Sequence, residues 1–373
     1  MIDEEEIIAS IALTKTALVG ANTGKKLIDT IGSAKGIYSS LDKLKSSSLQ
    51  IGTKLLDSLL SKTPKEEAEK EFQFVQEHNI QCIPYTSPTY PYRLKECNDA
   101  PPILFFKGNC DLNAHHVISM VGTRRSTQYG QQLCFDFLKE LKDILPNTLI
   151  ISGLAFGIDI ASHQSALKLG FPTVGVLAHG LDRIYPSQHR KTAIEMLNRG
   201  GVITEFGANT EPERYNFVSR NRIIAGMSDA TIVVESTSKG GALITANLAN
   251  DYNRDCFAFP GRTSDIYSEG CNGLIKQNKA TLITSAKDLT QFMQWDTLCN
   301  QKKQPEPFQQ DLFSDLTPHE QLIRKTLRQQ GKVHLDNLLL ETHISIQKLH
   351  SFLFALEMKG LIRVLAGGQY ELV

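Results

Sequence analysis

The sequence predicts an α/β fold: a doubly wound, mostly parallel sheet flanked by a small N-terminal helical module and a C-terminal winged helix. Three observations predict it. From about His115 onward, short apolar runs alternate with helix-length segments, the pattern of a parallel sheet covered by helices on both faces. Residues 1–62 are helical in pattern and punctuated by glycines, and residues 317–373 give three segments with apolar helical spacing followed by a hairpin.

Taken in order, residues 1–62 read as a helix-hairpin-helix or SAM-like module with turns at Gly20, Gly24, Gly32, Gly36 and Gly52. Two apolar, Gly-containing turns, Ile31–Ile37 and Leu49–Lys54, each precede a helix start. Hairpins of this kind can turn backbone amides toward DNA phosphates, but glycines also simply close helices, and the second reading is preferred. The core is expected over residues 63–295 and includes a connector, 63–114. That connector holds a charged helix from Pro64 to His78, the run Ile80–Ile83, prolines at 91, 101 and 102, and Ile103–Phe106. Each proline holds the residue before it extended, so a strand-rich connector packed on the next domain is expected.

The core strands are expected at Val117–Val121, Leu149–Ser152, Thr173–Ala178, Gly201–Glu205, Ala230–Glu235, Cys256–Phe259 and Leu282–Thr284. In such sheets ligands bind beyond the carboxyl ends of the strands, where strand order reverses. A polar stretch, Cys299–Pro307, marks a linker over residues 296–316. Helices at about 318–330, 334–341 and 345–359, then strands Leu361–Leu365 and Gln369–Leu372 turning at Gly367-Gly368, complete a winged helix over 317–373.

Composition narrows the function classes. The chain has 373 residues with 40 basic and 40 acidic side chains, so no global positive field attracts nucleic acid and any such binding needs a local patch. Its seven cysteines are widely spaced and form no C-x-x-C pair, which argues against a disulfide framework or a metal site. An acidic start and the lack of a long apolar run predict a cytoplasmic protein with no membrane span.

The densest chemical signal is Phe217–Gly226, where Arg220, Asn221 and Arg222 precede a run of apolar and small residues, with Arg214 just upstream. Fixed positive charge beside the Phe217 ring suits phosphates and a stacked base. Three strand-to-helix turns add to it: Val121–Ser126, Ser152–Gly157 and Ser238–Ala242. Glycine there permits close backbone approach, and the following helix can direct free amides at an anion. Neither G-x-G-x-x-G nor G-x-x-x-x-G-K-[ST] occurs, so no dinucleotide or P-loop cofactor is expected. The catalytic candidates are weak. Ser162 and His163 point about 100° apart on a helix, which makes His163 a buried hydrogen-bonding residue. His115-His116 lacks a metal-ligating partner, and Asp159, Asp182 and Glu205 read as helix caps or partners of the arginines.

These residues together resemble the bacterial DNA-processing proteins of the DprA (Smf) family. The resemblance runs through Val121–Arg125, Ser152–Asp159, Gly180–Pro186, Arg220–Gly226, Val233–Glu235, Gly240–Ala246 and Phe259–Gly261, and so covers roughly residues 85–285. It implies an extended Rossmann-like core and a cytoplasmic protein that binds single-stranded DNA. It also implies a homodimer formed through that core, help in loading RecA on incoming strands during natural transformation, and no catalytic step. Phosphate contacts would come from Gly122, Thr123, Arg124, Ser152, Gly153, Lys239, Gly240 and Gly241. A positive pocket would be lined by Arg214, Arg220, Asn221 and Arg222, with Phe217 available for stacking.

Two rival classes remain. A nucleoside-monophosphate phosphoribohydrolase-like enzyme would use a similar core and a G-G-x-G-T-x-x-E signature. Here the corresponding run, Gly240–Asn247, has Leu243 for the third glycine and Asn247 for the acid, and an amide is no general base. A winged-helix transcription factor would need a basic recognition helix. Ser345–Lys359 carries only Lys348 and Lys359 and is rich in Leu and Phe, which suits a protein contact better than a major groove.

Overall fold

Asp3 caps the first helix, its carboxylate accepting from the Glu5 amide, and Glu4, Glu5 and Glu6 place negative charge at the positive end of the helix dipole. This helix, α1 (Glu4–Lys15), opens the computed structural model, which describes residues 3–40, 52–295, 316–331, 333–365 and 369–372. Next come α2 (Ala21–Ile31), α3 (Ala34–Ser39), α4 (Thr53–Leu60) and α5 (Thr63–Glu77). Gly32 closes α2 with φ 99°, a left-handed conformation that favours glycine. The amides that this hairpin would offer a phosphate are already bonded inside the protein. Ala34 and Lys35 donate to the Glu6 carboxylate at 3.0 and 2.8 Å, and Gly36 donates to Ser33 Oγ at 3.0 Å. Half of the second expected turn, Leu49–Lys54, lies outside the described residues, and Thr53 opens α4 within the other half.

The chain divides into two units, Met1–Cys299 and Asn300–Val373. The N-terminal helices, expected as a separate module over 1–62, therefore belong to the first unit. The physical reason is a shared core: Leu27, Ile37 and Leu59 lie in one apolar cluster with Leu104, Val121 and Val176 of the sheet.

The rest of the first unit runs β1 (Gln81–Pro84), α6 (Tyr92–Lys95), β2 (Ile103–Gly108), β3 (Val117–Val121), α7 (Gln128–Ile144), β4 (Leu149–Ser152), α8 (Ile158–Leu169), β5 (Thr173–Val176), α9 (Arg190–Met196), β6 (Gly200–Thr204), α10 (Arg214–Gly226), β7 (Ala230–Val233), α11 (Ala242–Asp251), β8 (Asp255–Ala258), α12 (Glu269–Lys276), β9 (Thr281–Leu282) and α13 (Ala286–Phe292). The strands form one sheet in the order β1-β2-β6-β5-β4-β3-β7-β8-β9. From β3 the chain winds one way to β6 and then returns to lay β7 on the other side of β3, so the strand order reverses between β3 and β7. That is where an open α/β sheet leaves a crevice for ligand. β2 pairs antiparallel with β6, and β1 with β2. The connector expected to pack on this domain thus extends its sheet.

Both faces of the central strands are covered by apolar side chains. Val117 and Val121 turn into one apolar cluster with Leu149 and Ile151, while Ile118 and Met120 turn into the other with Ile150, Ile232 and Phe257. This is the two-residue alternation of a strand covered on both sides. Ser119 sits among them without an unmet polar group because its hydroxyl pairs with that of Thr231 at 2.8 Å.

The second unit holds α14 (Pro318–Gln330), β10 (Val333–His334), α15 (Leu335–Thr342), α16 (Ile346–Met358), β11 (Ile362–Leu365) and β12 (Gln369–Leu372). Thr317 and Glu320 form a capping box at the start of α14. The short β10 pairs with β12, so the expected two-stranded wing becomes a three-stranded sheet, β10-β12-β11. The expected turn at Gly367-Gly368 and nearly all of the expected linker lie outside the described residues. Lys359 is paired with Glu320 at 2.8 Å, which removes one of the two positive charges counted on the third helix. Ile346, Phe354 and Met358 are exposed along that helix. Among the described residues no helix is long and apolar enough to cross a membrane.

Candidate nucleic-acid interface

The crevice between β3 and β7 is shaped first by backbone. A Cβ at Gly122 would overlap the Ile158 side chain, so glycine lets the turn after β3 pass beneath the start of α8. The Thr123 amide donates to the Glu235 carbonyl at 2.7 Å, and the Thr123 carbonyl accepts from Ile158 N at 3.2 Å. Thr123 Oγ1 accepts from the Arg125 amide at 3.2 Å. The Glu235 carboxylate, buried beyond β7, accepts from both the amide and the hydroxyl of Thr127, the N-cap of α7. Turn and helix start are thereby locked together. Arg124 and Arg125 are exposed on this fixed support.

A cavity of about 660 Å³ opens there. Five cations line it: Arg124, Arg125, Arg214, Arg220 and Lys239. None of the five takes part in an ion pair among the described residues. Asp159 is the carboxylate in the lining. Burial raises its pKa, and Arg220 and Arg124 oppose that shift.

Arg220 is itself 3 % exposed. Its Nη1 donates to the carbonyls of Gly153 and Val176, which ties α10 to the ends of β4 and β5. Its Nε is buried with no hydrogen-bond partner. Burial pulls its pKa down to about 10, against the pull of Asp159 and with the help of Arg124, so it stays charged at neutral pH. The Phe217 ring has the Arg124 guanidinium over it at 5.0 Å, with Arg220 at 6.0 Å and the Tyr185 ring tilted at 6.0 Å. One cation thus already occupies the aromatic surface expected to take a base.

Of the residues predicted from sequence, Gly122, Thr123, Arg124, Arg214, Phe217, Arg220, Asn221, Lys239, Gly240 and Gly241 come together in this lining. Ser152, Gly153 and Arg222 do not. Ser152 is fully buried, with its hydroxyl donating to the Met120 carbonyl at 2.6 Å. Gly153 lies directly behind Arg220, where an added Cβ would overlap the guanidinium. Arg222 points elsewhere, donating to the Glu205 carboxylate and the Asp99 carbonyl. Positions two apart on a helix face about 200° from one another, a signal already present in the sequence. Arg125 and Asp159 belong to the lining but were absent from the predicted set.

The weak catalytic candidates fall where the residue chemistry suggested. Thr173 Oγ1 donates to the Ile150 carbonyl at 2.9 Å, so His163 Nδ1, 2.7 Å away, is the donor to Thr173. Asp182 is paired with Arg183 and Glu205 with Arg222. Asn247, in place of the enzyme signature's acid, accepts from Lys279 Nζ at 3.2 Å and does not line the cavity.

Comparison with known proteins identifies the family and the fold. A family described as DNA recombination-mediator protein A matches residues 81–294, and a DprA winged helix domain matches residues 307–368. A protein named Smf from Synechocystis is 33% identical over 332 residues, covering 80% of this chain and 83% of that protein. The X-ray structure of DNA processing protein A from Streptococcus pneumoniae superposes with a TM-score of 0.60 at 30% identity, covering 78% of this chain and 98% of that one. A Helicobacter pylori DNA processing protein A, whose structure is described for its single-stranded-DNA binding mode, gives a TM-score of 0.52 at 27% identity over 58% of this chain and 96% of that one.

Proposed function

Because the chain belongs to the DprA/Smf family of DNA-processing proteins, we propose that the cavity between β3 and β7 holds the backbone of single-stranded DNA. On this reading the protein protects incoming strands and helps load RecA during natural transformation and recombination. The observation that carries it is the convergence of Arg124, Arg125, Arg214, Arg220 and Lys239 on one cavity with no ion-pair partner among the described residues. Five cations gathered around one carboxylate, Asp159, repel one another, and a phosphate backbone relieves that repulsion while releasing its own counterions. Arg220 contributes most per charge, since its burial removes the screening that weakens the exposed ones.

Asn221 gives the groove an amide, a base reaches the Phe217 ring only where Arg124 moves off it, and the Gly240-Gly241 turn leads the start of α11 to the wall of the groove. Contacts of this kind hold backbone and π-faces, so the binding is sequence-tolerant. The single-stranded-DNA binding described for the Helicobacter pylori protein supports this reading. We further propose that the protein acts as a homodimer formed through its first unit.

Titration of a fluorescent oligothymidine at two salt concentrations, beside a duplex of equal length, tests the proposal. Affinity for the single strand is expected to fall with salt by a log–log slope of roughly 0.7 per phosphate neutralised. Arg124→Ala with Lys239→Ala is expected to flatten that slope. A salt-independent affinity would sink the reading. No binding, together with release of free base from nucleoside monophosphates, would move the chain to the phosphoribohydrolase class despite Asn247. Light scattering of the purified protein and co-precipitation with purified RecA read the two partner claims separately.

A further inference from the structure

We infer that the bound strand continues past Arg124 and Arg125 into a second nucleotide subsite walled by Phe156. The inference rests on the reading of the main cavity as a groove for the strand backbone. A second cavity, of about 310 Å³, shares Arg124 and Arg125 with the first, so these two side chains border both spaces. Its other walls include Ser126, Gln131, Phe156, Ile160 and Gln164. Its volume is at the small end of ligand pockets, the scale of one base rather than a whole nucleotide chain.

Phe156 is 44% exposed. A lone exposed aromatic means little by itself, but this one is held in place from two sides. Its ring meets the ring of His189 edge-on, with centroids 4.9 Å apart and planes at 70°. His189 is buried and fixed in turn by a 2.8 Å hydrogen bond between Nδ1 and the Leu154 carbonyl. The next residue, Gly157, has φ 80°, and a Cβ there would overlap the backbone of Thr123 and Arg124. The loop carrying Phe156 is thus packed backbone to backbone against the turn carrying the arginines. That fixes the ring relative to the cations without filling the cavity between them.

The chemistry of the lining matches one occupant. An exposed aromatic surface takes the π-face of any base. Ile160 adds an apolar wall, and the exposed amides of Gln131 and Gln164 can donate to or accept from base edges without selecting one base. Arg124 and Arg125, which have no ion-pair partner among the described residues, supply positive charge for the phosphate linking this base to those in the main cavity. An apolar side chain of a partner protein would also fit the ring, but it would leave that charge unmatched.

The test uses the full-length protein and oligothymidines of ~4 and ~12 nucleotides, spanning the range of site sizes for single-strand grooves. Phe156→Ala is expected to weaken the longer strand by about five- to a hundredfold, the usual worth of one stacked base, and to leave the shorter one unchanged. Phe156→Trp should restore the longer strand. A 2-aminopurine stepped along the longer strand should show quenching at one position that Phe156→Ala abolishes. Equal weakening of both lengths would overturn the subsite, as would no weakening of either, and the latter would assign the ring to a protein partner. Failure of the main reading appears separately. Arg214→Ala with Lys239→Ala, which line only the first cavity, would then leave both lengths bound as before.

Discussion

The Gly153 carbonyl accepts a hydrogen bond from Arg220, and the same guanidinium nitrogen reaches the Val176 carbonyl. A buried cation on α10 is therefore aimed by two strand ends, and its position is set by sheet geometry rather than by a flexible side chain. Gly153→Ala is expected to push the guanidinium off both carbonyls. Overpacking of this kind destabilises by about 1–3 kcal/mol. Single-strand affinity should fall together with the urea midpoint. Arg220→Lys keeps the charge but not the planar fork, and it is also expected to bind more weakly. Wild-type affinity in both variants would remove Arg220 from the groove.

Arg222 separates stability from binding. Its truncation leaves the half-buried Glu205 carboxylate without its cation, and the buried Glu205 Oε1 already lacks a hydrogen-bond partner. Removing one member of a fully buried pair typically destabilises by about 3–5 kcal/mol, and this half-buried pair is expected to fall below that range. Arg222→Ala should therefore lower the urea midpoint, while the fraction that remains folded binds oligothymidine as the parent does. Arg220→Ala should show the larger binding defect. Equal binding defects in the two variants, measured where both are folded, would contradict this division.

The loop before α10 is anchored from the N-terminal helices. Glu71 accepts from the Ala208 amide at 2.7 Å and from Lys15 Nζ at 3.4 Å, and Asp182 accepts from the Asn209 amide at 3.1 Å. Glu71→Ala is expected to speed amide exchange across residues 207–213 and to weaken strand binding, because Arg214 and Phe217 follow directly. Removing a charged acceptor of this kind leaves a donor unmet, at roughly 1–3 kcal/mol. Hydrogen exchange read by mass spectrometry checks it, and unchanged protection of that loop would break the link.

Stability of the first unit should depend on pH through His163. Burial lowers its folded pKa to about 3, and Arg220 and His189 add to the shift. Its Nε2 is buried without a partner, so a proton there would find no acceptor. The unfolded chain takes that proton near its ordinary pKa of about 6.5, while the folded one refuses it until near 3. The stability is complete above the unfolded value and is lost as pH falls through this window, at up to ~1.4 kcal/mol per pH unit for this group. His163→Gln should flatten the urea midpoint between pH 6.5 and 5, and an unchanged profile would assign the acid sensitivity elsewhere.

Much of the fold was legible because β3 and β4 are short runs with clear ends: Val117–Val121 and Leu149–Ser152 match the reading residue for residue. The turns beyond them were legible too, since glycine marks where backbone passes close to a helix. What local pattern could not carry was pairing across the sheet. Nothing in the proline-rich stretch before Ile103 states that β2 will hydrogen-bond to β6, nearly a hundred residues later. The partner of Arg222 is likewise at the end of a different strand, at Glu205. The error there came from treating Arg220 and Arg222 as neighbours in space because they are neighbours in sequence, although the helix that carries them turns them apart. Phe156 was passed over because an apolar residue in a glycine-rich turn reads as core until its exposure is known.

The Glu6 carboxylate, bonded to the amides of Ala34 and Lys35 and to the Thr86 hydroxyl, has a consequence for how the molecule meets a polyanion. A carboxylate tethered within the same fold competes at an effective concentration that a free phosphate in solution does not reach. The hairpin is self-inhibited as an anion receptor and acts as a clasp between α1, α3 and the connector. That hairpin is therefore closed to an approaching strand on the proposed reading, which leaves the attraction to the cations of the cavity between β3 and β7.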